Sequence, residues 1–549
     1  MTRRLLPTRL ALLLAGACTV LLPPLMTAQG LGPASLASSA PVEQTAPGVR
    51  PALSVLDAFD GLGHDHFIGA TPPRNPSDNS LAVGRDHIMQ SVNTQIAVFT
   101  KRGRQFDTTG RLLFGPVQTN AMFAGQGEVC GGRANGDVVV RYDQLADRWL
   151  VVMPIFRRAV AHHDSGADGR AVAAPGEAAR PGQAAHPGAP IAPTPPPAPT
   201  GPAPVTADGS FAMCYAISTG PDPLGAYHHY VFERRLFPDY PRPAVWPDGY
   251  YLPTSTGDEV IEKHVCVADR ARMLAGQPAT EQCLVVPGVN FLNTADLDGT
   301  TLPPAGAPNL VMATGGTQLH HDVDDDAIYL WQAHVDWAQP SRTALTGPRR
   351  IDVAPYRYLC GGQLTDCVPQ PGVERRLDAQ GDKLMARLVY RNLGGRESLV
   401  AVHSVDTAAG GGGVRWYEFR FDQQREPRLF QQGTYAPDGG YRWMASPAMD
   451  RVGNIVIGYS YGDAAHFPGQ RIAARLADDP RGLLTFHESV LAEGQASQTN
   501  TLRWEDYTQT AVDPVDDCTI WYVGDYLKVG APSYSTRIGA VRVPGCTTP

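Results

Sequence analysis

Asp78, Asp137, Asp382 and Asp506 each stand at the opening of one of a series of similar phrases in this chain of 549 residues, and carboxylates brought together can do acid–base chemistry. A glycosidase needs two such groups at a set separation across a sugar–sugar bond, one of them keeping its proton. Asn79, Arg442, Trp443, Arg503 and Trp504 open phrases of the same kind and suit recognition. Indole faces stack on the C–H surfaces of sugars, and guanidinium groups clamp a carboxylate or sulfate. The same residue types also serve structure alone, since strand ends leave backbone groups that need partners and Arg–Asp pairs lock neighbouring sheets.

A second polar cluster is His320-His321-Asp322-Val323-Asp324-Asp325-Asp326. Asp322, Asp324 and Asp326 present oxygen ligands in the manner of a calcium loop, although the Gly and final Glu of an EF-hand are missing. A solvated turn is the simpler reading. No Gly-x-Ser-x-Gly elbow is present, and the Gly410–Gly413 run lacks the Lys and helix of a phosphate loop. No cofactor is evident beyond calcium.

These residues need elements to carry them. Short strand-like runs separated by Gly, Asp, Asn and Pro turns fill the sequence, and helical periodicity is nearly absent outside 268–274. The phrases recur every roughly 50 to 75 residues: a polar opening, a small apolar strand, a turn, then a more aromatic strand. One such unit cannot cover both faces of its sheet, so the copies must stack. The expectation is an all-β chain of antiparallel sheets in a β-propeller of seven blades, or six if the weak copy at Asn309 does not count, with paired β-sandwiches as the alternative. In a propeller the first strand of each blade lines the channel, which would gather the opening residues at one end.

The phrases Ser77-Asp78-Asn79-Ser80-Leu81-Ala82-Val83-Gly84, Trp246-Pro247-Asp248-Gly249-Tyr250-Tyr251, Tyr441-Arg442-Trp443-Met444 and Arg503-Trp504-Glu505-Asp506-Tyr507 resemble those of a group of exported bacterial propeller-like proteins of unassigned activity, sialidase/BNR-like in appearance. The resemblance spans 57–546 and implies the propeller, but it supplies no catalytic residues. Glu505 departs from it, standing where Gly is expected.

Arg3, Arg4 and Arg9 precede an apolar run and small residues up to Gly30, the pattern of a signal peptide over 1–30, with a Pro/Ala/Ser-rich lead-in over 31–51. Removing Cys18 with that peptide leaves eight cysteines, expected as structural disulfides in chain order: Cys130 with Cys214, Cys266 with Cys283, Cys360 with Cys367, and Cys518 with Cys546. A Pro/Ala-rich insertion at about 159–208 buries too little to fold and should interrupt the single domain over 52–549. A net charge of -8 without Lys/Arg clusters argues against nucleic acid, and no later run is long and apolar enough to anchor in a membrane. The leading expectation is a secreted protein, periplasmic or extracellular, that binds a polysaccharide or cell-surface glycan through its channel face. A glycoside hydrolase or polysaccharide lyase using the channel Asp and Arg residues is the first alternative. A structural or adhesive envelope protein is the second.

Overall fold

The computed structural model describes residues 42–68, 74–156, 211–234, 237–256, 262–286, 291–315, 326–362, 365–531 and 533–547. Among them the pairing gives seven four-stranded antiparallel meanders, an arrangement compatible with seven blades. Their first strands, taken in order, are Ser80–Val83, Val139–Asp143, Ala244–Trp246, Asn293–Asp298, Leu388–Asn392, Tyr441–Met449 and Gln509–Val512. Each first strand touches the next, and Gln509–Val512 returns to touch Ser80–Val83. The sheets therefore close around an axis as a β-propeller, and the sandwich alternative does not apply.

Sheets stacked in this way have both faces covered, which is why the strands read as apolar runs rather than as alternating ones. The core lies between sheets. Phe99 and Trp521 pack between the seventh and first, Trp149 and Met89 between the first and second, and Trp416 and Trp443 between the fifth and sixth. Gly84 belongs to this packing, because a Cβ there would stand 2.4 Å from the Trp149 ring.

The ring is closed by the other end of the chain. Val55–Gly63 forms the outermost strand of the seventh sheet, antiparallel to Ser535–Arg542, with Phe59 opposite Ile538. Part of the expected lead-in is likewise held: Glu43–Gln44 pairs in parallel with Thr434–Tyr435, and Gln44 both donates to the Leu484 carbonyl (2.9 Å) and accepts from its N–H (2.8 Å). Arg50 reaches Asp479 at 2.9 Å. Composition suggested looseness there, and local hydrogen bonding overrides it.

The four disulfides join the four expected pairs. They favour an oxidising compartment, extracellular or periplasmic. Among the described residues no helix is long and apolar enough to cross a membrane. The strands Arg148–Ile155 and Phe211–Ser218 pair across the insertion, with Val152 opposite Tyr215. The insertion itself, the signal segment, Asp322 and Asp324 lie outside the described residues. Asp326 is described, and its carboxylate accepts the Tyr356 N–H at 3.0 Å.

The axis is filled. Arg387 lies between Asp296 (2.6 Å) and Asp298 (2.5 Å), and Arg141 stands 3.5 Å from Asp296. Gln509 joins them, accepting from Ser80 Oγ at 2.8 Å and donating to the Leu81 carbonyl at 2.7 Å. Both arginines and both aspartates are buried. Removing one partner from such a set strands the other charges. Arg387→Ala is therefore expected to lower stability by about 3–5 kcal/mol in chemical denaturation. A loss below about 1 kcal/mol would show that the axial ion pairs are dispensable.

Candidate functional site

The innermost strands run the same way around the axis, so their N-terminal ends share one face. The segments leading into them meet at that mouth. There the chain departs repeatedly from ordinary backbone. Asp78 (φ 50°), Asp137 (φ 55°), Tyr240 (φ 55°), Gln380 (φ 48°), Glu505 (φ 56°) and Asp506 (φ 63°) all take left-handed conformations. Asp tolerates this region, whereas Tyr and Gln do so at a cost of order 1–3 kcal/mol each. Such strain persists only where the surroundings hold it, and here they hold a cluster of polar side chains.

The carboxyls of Asp78, Asp137 and Asp239 stand in series, each close enough to the next to shift its proton affinity. Asn93, in the turn between the second and third strands of the first sheet, donates to the far oxygen of Asp78 at 2.7 Å. The backbone N–H of Asp78 goes to the Glu505 carbonyl at 2.8 Å. Beside this series Arg503 grips Asp506 with Nη2 and with Nε (3.3 Å), and Gln380 donates to the same carboxylate at 3.1 Å. Lys383 donates to Gln380 and stands 3.0 Å from Asp382. Its ammonium also lies 3.9 Å from the Phe291 ring centroid and 5.0 Å from that of Tyr240. Tyr240 donates its hydroxyl to the Asp506 carbonyl, and the Tyr507 ring packs edge-on against it at 5.2 Å.

Electrostatics follow from that crowding. Burial pushes the Asp78, Asp137 and Asp239 carboxyls well above the usual range. Neighbouring negative charge adds to the shift, from Asp506 on Asp78, from Asp78 on Asp137 and from Asp137 on Asp239. Carboxyls in contact cannot all ionise, so they share protons. Burial raises Asp378, nearby, to about 6, with Asp506 contributing. Burial also depresses the Lys383 ammonium, against the pull of Asp382. Behind the mouth sits a second carboxyl pair, Glu505 and Asp525. The Glu505 carboxylate accepts the Asp525 N–H and, at 2.8 Å, the Ser460 hydroxyl. Burial lifts Asp525 to about 7 and Glu505 well above its ordinary value.

The residues singled out from sequence divide accordingly. Asp78, Asp137, Asp382, Arg503 and Asp506 come together at the mouth; Asn79, Arg442, Trp443 and Trp504 do not. Asn79 points into the seventh sheet, donating to Asp525 (2.5 Å) and Ser77 (2.8 Å). In the sixth sheet the pairing shifts register between Trp443 and Ser446, where Met444 has φ 50°. That bulge turns the start of the strand away from the axis, as bulges do. Arg442 is then clamped by Asp438 and Glu488, each within 3.0 Å, and Trp443 is fully buried beside Trp504. The Trp504 N–H is spent on Ser460 Oγ at 2.9 Å.

Asp239, Tyr240, Gln380 and Lys383 were missed, although Asp239-Tyr240-Pro241 and Gln380-Gly381-Asp382 occupy the openings of the third and fifth repeats. Aligning repeat openings would have found them. Asn93 sits in a turn and left no signal. Among the described residues the close group of metal-ligating types is Cys266, Glu281 and Cys283, in the third sheet, and not this mouth.

A carboxyl whose pKa is raised by folding stabilises the fold below its unfolded value and loses that contribution as pH climbs through the folded value. For Asp525 this window runs from the ordinary carboxylate range to about 7, and for Asp378 to about 6. The melting temperature is therefore expected to fall between pH 5 and pH 8, and Asp525→Asn to flatten part of that fall. A melting temperature that rises over the same range would contradict the buried, proton-sharing mouth.

No family model matches the chain, and no curated protein matches its sequence. Among solved structures it is similar to the hemagglutinin-neuraminidase ectodomain of parainfluenza virus 5, at 8% identity over 72% of this chain and 80% of that one, with a TM-score of 0.33. It is similar to a PL25 ulvan lyase bound to -[GlcA(1-4)Rha3S]-, at 11% identity over 89% and 94%, with a TM-score of 0.32. A third is the xylan β-1,4-xylosidase of Bacillus halodurans, at 9% identity over 87% and 98%, with a TM-score of 0.28. At such TM-scores these likenesses bear on neither the substrate nor the reaction of this chain.

Proposed function

We propose that the protein is an exported enzyme that cleaves glycosidic bonds in a polysaccharide at the channel mouth. The observation that carries this is the crowding of the Asp78, Asp137 and Asp239 carboxyls, whose hold on their protons burial and neighbouring negative charge strengthen, beside the Arg503-held carboxylate of Asp506. Breaking a glycosidic bond requires a proton for the departing oxygen and negative charge near the anomeric carbon as it becomes cationic. Asp137 and Asp239 keep partial exposure as residues, whereas Asp78 and Asp506 are buried, so the first two stand nearer the solvent. Asp137 is the assigned proton donor, recharged through its two carboxyl neighbours. Asp506 supplies the charge, and Arg503 and Gln380 position it.

A protein that only binds glycans was expected to offer the indoles of Trp443 and Trp504 to its ligand. Both are buried in the core between sheets, and their burial favours the catalytic reading. The eight paired cysteines and the signal-like N-terminal sequence support export.

The test is a panel of neutral and acidic polysaccharides assayed for new reducing ends with the purified full chain. Turnover on at least one polymer is expected, with Asp137→Asn lowering it by about 10²-fold or more while the melting temperature stays near that of the parent, and Asp506→Asn lowering it at least as far with a loss of stability as Arg503 loses its partner. Full activity in Asp137→Asn would remove the assigned donor. Binding without turnover on any polymer would replace this reading with that of a glycan-binding propeller.

A further inference from the structure

A different cluster, on the outer strands of the second and third sheets, has chemistry of its own. Cys266 and Cys283 sit directly opposite each other on neighbouring antiparallel strands, within a ladder that pairs Lys263–Ala268 with Glu281–Val286. The backbone already holds these two residues together, so the disulfide adds little to the fold. Cutting it would leave the ladder intact and the sulfurs facing each other. The other three bridges differ. Cys130–Cys214 ties a short helical segment to a strand, Cys360–Cys367 closes a loop, and Cys518–Cys546 secures the chain beyond the last strand.

The surroundings of the bridge are charged. Arg234 Nη1 donates to both sulfurs, at 3.0 Å to Cys283. Its Nη2 is fixed by Glu281 at 2.6 Å, and Glu281 accepts the buried Tyr215 hydroxyl at 3.0 Å. Among the described residues this is the one disulfide with a guanidinium against its sulfurs. Cys266 is fully buried and Cys283 is exposed. A cation beside a sulfur favours the thiolate, and a stabilised thiolate is a better leaving group.

We propose that Cys266–Cys283 is a thiol–disulfide exchange site, opened by an external dithiol that attacks Cys283 and expels Cys266 as a thiolate held by Arg234. In the first step the attacking thiolate forms a mixed disulfide with Cys283, and the electron pair of the broken bond passes to Cys266. In the second, the other thiol of the reductant, deprotonated, attacks its own partner sulfur in that mixed disulfide. Cys283 leaves, takes a proton from solvent, and the reductant departs as its own disulfide, having given up two electrons. The two cysteine sulfurs and a Glu281 oxygen lie within 4.8 Å of one another, and the intact ladder keeps the pair placed to close again.

The test exposes the folded full chain to limiting dithiothreitol, quenches with iodoacetamide at intervals and reads each cysteine by peptide mass spectrometry. Labelling of Cys266 and Cys283 is expected about tenfold or more ahead of Cys130, Cys214, Cys518 and Cys546. Arg234→Met should remove most of that lead and Arg234→Lys should restore part of it. Glu281→Gln, which loosens the guanidinium without removing it, should also slow the pair and serves where Arg234→Met does not fold. Labelling no faster than at Cys518 and Cys546, or a lead unchanged by these substitutions, would overturn the proposal.

Discussion

Val55–Gly63 completes a sheet whose other three strands come from the far end of the described chain, and the arrangement at the axis depends on that closure. Without it the first and seventh sheets would each expose an apolar face, and Leu81, Phe99, Trp521 and Ile538 would lose the layer they share. The closure also brings Gln509 against Ser80 and Leu81, and thereby Asp506 toward Asp78. A strand made early in synthesis must wait for strands made about 480 residues later, Phe59 for Ile538. Long-range pairing of this kind is slow to form because the entropy of closing the loop is lost before the contacts reward it.

The axis and the mouth show two uses of buried charge. Deep in the channel Arg387 is matched to two carboxylates, and those groups complete one another. At the mouth carboxyls outnumber the nearby cations, and the imbalance is relieved by protons. Left-handed backbone at six neighbouring positions holds these carboxyls where their mutual repulsion would otherwise separate them. Matched charge fixes geometry, whereas crowded carboxyls raise one another's proton affinity.

Much of this was legible in the chain. The repeated strand–turn phrases specify stacked sheets because no single sheet can cover itself, and Asp78, Asp137 and Asp506 converge because each stands just before an inner strand. The pairing of the cysteines followed their order. What could not be read was the direction of individual side chains. The bulge at Met444 moves Arg442 and Trp443 off the axis, and no residue type in that stretch announces it. Asn79 neighbours Asp78 yet points the opposite way, toward Asp525. Glu505, where Gly was expected, has φ 56° and turns its side chain inward, so the close approach that Gly would serve is replaced by a buried carboxyl pair.

The bond between Cys130 and Cys214 has a consequence for chain integrity. Cys130 precedes the Pro/Ala-rich insertion and Cys214 follows it, so the bridge spans the whole of 157–210. A protease that cut anywhere in that stretch would leave two polypeptides still covalently joined, with the strands Arg148–Ile155 and Phe211–Ser218 still paired. Nicked and intact molecules would then migrate together on a denaturing gel until a reductant was added, and only then would the scission be seen.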